Sequence, residues 1–166
     1  MYKIGIVGSG ADKFTEESRE LAKKEIMQII SGTPFNDICI VSGHSPVGGI
    51  DIWAEEIAQE FHVPTDIKCP RQNTWNGIYG YKVRNLDIAR YSNEVHVILV
   101  DSYPPNYSGM KFDGCYHCEK HKKEMKLKHV KSGGCWTGWE SYKLNKPLIF
   151  HVIENDGGNV NVCALS

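Results

Sequence analysis

Two stretches of this chain place reactive residue types at chemically useful spacings. The first is Ser42-Gly43-His44-Ser45-Pro46-Val47-Gly48-Gly49-Ile50-Asp51, which joins an apolar run of β type (Asp37-Ile38-Cys39-Ile40-Val41) to a helical pattern through Ala58. A glycine-rich turn from strand into helix presents backbone N–H groups at the positive end of a helix dipole, which suits phosphate. The second is Cys115-Tyr116-His117-Cys118, with His121, His129 and Cys135 downstream. A C-x2-C step lets two thiolates bind one tetrahedral ion, and structural zinc takes four N or S ligands. The spacing predicts a structural Zn2+ held by Cys115, Cys118, His129 and Cys135, with His117 or His121 as substitutes.

The elements that must position these groups follow from periodicity. A length of 166 residues, 41% of them hydrophobic, suits one domain over 1–166 with its own core. The net charge of −1 gives no global pull toward nucleic acid or membrane. Met1–Gly8 is too short for a signal peptide or a span, and no later apolar run reaches membrane length, so the expected location is the cytoplasm. There the six cysteines stay reduced rather than forming a disulfide framework. Strand patterns at 3–8, 38–42, 63–67, 94–101 and 147–153 alternate with helical patterns at 15–31, 49–61, 78–91 and 136–144. This predicts an α/β fold, Rossmann-like and doubly wound, with a mainly parallel sheet and an antiparallel edge at 159–164. Residues 102–134 break the rhythm. Loops beyond about 15 residues are rare in compact domains unless functional or separately folded, so this segment reads as a small metal-binding insert.

In such a sheet the ligand lies at the carboxyl ends of the strands. Those ends supply Gly8, Ser9 and Gly10; Ser42, Gly43, His44, Gly48, Gly49 and Asp51; Asp101 and Ser102; and Gly133, Gly134 and Thr137 ahead of the last helix. A dinucleotide fingerprint fits poorly. Position 13 is Lys13 rather than the third glycine, and strand two ends in Ser42-Gly43 rather than an acid for a ribose 2′-OH.

Ser42-Gly43-His44, Gly49-Ile50-Asp51 and Ala54, then Trp75, Arg84-Asn85 and Val100-Asp101, resemble the SLOG superfamily of nucleotide-binding proteins, in particular its YspA-type branch. His44 replaces a glycine of that pattern and the loop carries one extra residue. The stretch Ser132-Gly133-Gly134-Cys135-Trp136-Thr137-Gly138-Trp139-Glu140 is similar to the P-G-G-x-G-T-x-x-E motif of the related LONELY GUY phosphoribohydrolases, with Trp136 at the third glycine. The resemblance implies a nucleotide or another phosphorylated small molecule as ligand, with Arg84 and Asn85 among its contacts. It implies a homodimer as one arrangement. It also implies an alternative activity, hydrolysis of a nucleoside 5′-monophosphate to base and ribose 5-phosphate. There Glu140 and Arg84 act as the catalytic pair, the carboxylate stabilising oxocarbenium charge and the guanidinium holding phosphate. Without the resemblance, Glu140 reads as a surface acid and Asp51 as a helix cap. Lys120, Lys122, Lys123, Lys126, Lys128 and Lys131 in the insert suggest contact with nucleic acid, but such a run more commonly forms a solvated face.

Overall fold

The computed structural model describes residues 1–166. Six strands form one sheet: β1 (Tyr2–Gly8), β2 (Ile38–Ser42), β3 (Thr65–Ile67), β4 (Glu94–Val100), β5 (Leu148–Ile153) and β6 (Val160–Leu165). Their order is β3-β2-β1-β4-β5-β6. Neighbours from β3 through β5 run parallel, and β6 pairs antiparallel with β5, Ile153 opposite Val160. The order reverses between β1 and β4, which lie side by side with Gly8 opposite Ile98.

The helices are α1 (Glu16–Gly32), α2 (Ile50–Glu60), α3 (Tyr81–Tyr91) and α4 (Gly133–Lys143). Alternate strand residues divide between two apolar clusters. Ile4, Ile6, Ile40, Ile98 and Ile153 pack with Ile26 of α1 and Ile57 of α2. Val7, Val41, Val97, Leu99 and Phe150 pack with Ile88 of α3 and Trp139 of α4. Both faces are therefore covered, which is why β4 reads as a near-continuous apolar run. Thr15 caps α1 in a reciprocal pair with Ser18.

Two helix starts differ from the sequence expectation. α3 begins at Tyr81 rather than 78, because residues 68–80 fold as a loop in which the Arg71 and Gln72 amides both donate to the Tyr79 carbonyl. α4 begins at Gly133 rather than Trp136, because the Ser132 hydroxyl accepts from the Gly134 amide at 3.2 Å and caps the helix. The insert contains one short turn of 3-10 helix, Glu119–His121. Cys118 and Met125 bury it against the α4 side, and the Val130 amide ties it to the Val100 carbonyl at 3.0 Å. No helix is long and apolar enough to cross a membrane.

Candidate phosphate-binding rim and metal centre

Ligands of open parallel sheets favour the crevice where strand order reverses, here the ends of β1 and β4. The Ser9 amide donates to the Ile98 carbonyl at 3.1 Å, and the Ser9 carbonyl accepts from Ile50 at 3.2 Å, drawing the start of α2 against the end of β1. Gly49 has φ +86, and a Cβ there would run into the Ser9 carbonyl. A Cβ on Gly134 would lie 2.9 Å from the Gly8 amide nitrogen, so the first turn of α4 sits on the same strand end. Gly8, Ser9, Gly49 and Gly134 thus meet at one place. We expect Gly49→Ala to lose about 1–3 kcal/mol from backbone strain alone. Gly32→Ala is the control, since nothing lies within 4 Å of its Cβ position; equal unfolding midpoints for the two variants would contradict this account.

Two backbone amides at the rim are already used. Ile50 donates to Ser9 and Gly134 to Ser132. The Gly10 and Gly49 amides donate to no backbone carbonyl. Ser42 is wholly enclosed, and its hydroxyl lies 2.8 Å from a Glu55 oxygen and 3.1 Å from the Asp51 carbonyl, so it braces the loop rather than facing a ligand. Thr137 is also enclosed, inside α4. By contrast, the Ser9 hydroxyl is buried and has no partner.

Arg84 projects from α3 into this rim. Its Nη1 donates to the Gly43 carbonyl and lies 3.8 Å from Asp51 Oδ2, while its buried Nε has no partner. Burial pushes the Asp51 carboxyl up to about 6, with Arg84 and the Ser45 amide opposing that rise. Burial also lowers Arg84, against the pull of Asp51. Each charge is therefore incompletely compensated. Asn85 is buried beside Arg84 in the chain. His44, at φ +49, bonds through Nδ1 to Glu55 at 2.7 Å.

Asp101 accepts from the Asn155 amide at 2.9 Å and from Ser102 at 3.1 Å. The Asn155 side chain donates in turn to the Ser102 and Lys13 carbonyls, making it an unforeseen tie between loops. Glu140 pairs with Lys143 at 2.9 Å and forms no ion pair with Arg84. A pocket of about 370 Å³ adjoins the rim between β3 and the 68–80 loop, lined by Lys68, Arg71, Tyr79 and Arg84 among others. A larger concavity of about 700 Å³ lies over the insert and shares no residue with the glycine loops; size alone does not locate the site.

The insert brings Cys115, Cys118, His129 and Cys135 together, with their ligand atoms all within 4.8 Å of one another. This Cys3His set is positioned to bind a metal ion and suits zinc, whose Zn–S bonds are about 2.3 Å long. His129 Nδ1 bonds to the Val130 carbonyl at 2.7 Å, which leaves Nε2 as the metal-facing nitrogen. Trp139 Nε1 donates to Cys118 Sγ at 3.3 Å. Hydrogen bonds from Cys118 and Cys135 hold the Cys115 thiol well below its ordinary value, whereas the bond to Cys115 pushes Cys118 up to about 12. His121 stacks on Trp139 at 3.7 Å and His117 packs against Tyr116, so neither joins the cluster. Comparison of the chain with protein-family models, curated proteins and solved structures found no match.

Proposed function

We propose that this chain is a Rossmann-like, doubly wound domain of SLOG type that binds a nucleotide or a nucleotide-derived phosphorylated ligand, with a structural zinc fixing its insert. The observation that carries the reading is the pair of buried, unpartnered groups at the rim, the Ser9 hydroxyl and Arg84 Nε. Buried polar groups normally find partners, and an anion at the glycine loops supplies an acceptor to both. The phosphate sits by Ser9, Gly10 and Gly49, and the rest of the ligand extends past Arg84 toward Tyr79. Cytoplasmic residence accords with this ligand class. Hydrolysis would require Glu140 to leave Lys143, so binding is the preferred reading.

Thermal-shift measurements with nucleoside 5′-monophosphates and diphosphates test it. A ligand at 100 times its Kd adds about 2.7 kcal/mol, or roughly 5–10 °C for a chain of this size. Absence of a shift with every nucleotide and with inorganic phosphate would refute the reading. Free base in the same incubations, detected by chromatography, would favour the hydrolase instead.

A further inference from the structure

Beneath α1, away from the glycine loops, four side chains form a chain of hydrogen bonds that nucleotide binding does not use. Glu94 Oε1 lies 2.9 Å from His96 Nε2, His96 Nδ1 lies 2.8 Å from His151 Nε2, and His151 Nδ1 lies 2.8 Å from Glu25 Oε2. Both histidines are buried. Three heavy-atom gaps need three hydrogens. Two neutral imidazoles bring two, and ionised carboxylates bring none. With only two hydrogens, one gap would face lone pair against lone pair in a buried site, a costly arrangement.

We infer that His96 and His151 share one additional proton, taken from solvent and held between Glu94 and Glu25, that seats α1 on β4 and β5. The charged groups acting on His96 are Glu94, His151 and Glu25. Tyr2 on β1 donates to the other Glu94 oxygen at 2.9 Å; burial, together with Glu94, pushes its hydroxyl up to about 12, so it remains a donor. β6 places uncharged Val162 opposite His151. Burial disfavours charge on His96 and acts against the hydrogen count, which the carboxylates at the two ends of the chain, Glu94 and Glu25, support. The proton moves between rings by transfer across the central gap, with no net change in charge.

The folded chain thus holds a proton that the unfolded chain releases above a pH of about 6.5. Its stabilisation is complete below that value and is lost as pH rises to where the folded network gives the proton up. Glu25→Gln and Glu94→Gln provide the test, because either amide can donate to its histidine and satisfy the chain with two imidazole hydrogens. Denaturation of the metal-loaded protein between pH 6 and 9 should show the parent's folding constant falling by up to about tenfold per pH unit until the network loses its proton. Both amide variants should flatten that slope. Parallel slopes in all three would overturn the inference. Imidazole 15N NMR of the parent at pH 7 gives an independent reading: three N–H nitrogens across His96 and His151 are expected, and only two would overturn it even if a variant fails to fold.

Discussion

Removing the metal from the four-ligand centre is expected to unfold most of the insert and loosen the start of α4. Apart from Glu119–His121, the insert has no regular secondary structure, so side-chain anchoring must hold it. Cys115 and Cys118 lie near the middle of the segment, while His129 and Cys135 flank Ser132, the cap of α4. A metal joining them closes the loop and fixes the helix turn that packs on Gly8. Structural zinc contributes about 10–16 kcal/mol of apparent binding free energy in small zinc domains, and even a part of that would lower Tm by about 10 °C or more, at about 2–4 °C per kcal/mol. Chelation and Cys118→Ser should both expose residues 102–132 to protease and weaken nucleotide binding. Acidification should also release the metal, because the thiols must be deprotonated to bind it. A purified protein with about one zinc per chain and a Tm that falls on chelation is the expected result; an unchanged Tm would show that the insert folds without metal.

Arg84→Met is expected to produce the second large effect, through two separable routes. If the proposed anionic ligand binds at the rim, loss of the guanidinium removes a charge-assisted contact to it, worth about 1.5–3 kcal/mol, or roughly 10- to 150-fold in affinity. It also leaves Asp51 buried without its counter-charge, and breaking a buried pair costs about 3–5 kcal/mol. The two routes differ in pH dependence. Burial already pushes the Asp51 carboxyl up to about 6 against the opposing charge of Arg84, and without Arg84 it rises further. Because the folded variant then binds the proton more tightly than the parent, the loss through Asp51 is small below about pH 6, grows as pH rises from there to the variant's folded value, and is constant above it. Denaturation at about pH 5 and about pH 8 should show the larger loss at the higher pH. Adding Asp51→Asn should restore stability there but not nucleotide affinity. Equal losses at both pH values would remove Asp51 from the account.

Much of the fold is legible because its signals are local. The apolar run of β4 and the cap of α1 by Thr15 and Ser18 each depend on neighbours in sequence. The four candidate metal ligands are legible too, since C-x2-C spacing restricts how two thiolates can meet an ion. The helix starts at Tyr81 and Gly133 escape periodicity, because a loop closed by Tyr79 and a cap at Ser132 depend on hydrogen bonds that apolar spacing does not report.

Residue order alone carries the α/β alternation, the candidate metal ligand set and the glycine loops at strand ends. Packing in three dimensions chose the rest: that Ile50 donates to Ser9, that Ser42 and Thr137 are enclosed, that Glu140 pairs with Lys143, and that His96 meets His151. The physical reason is range. Strand and helix preferences act over a few residues, whereas the partner of a buried polar group is selected by contacts between segments far apart in the chain.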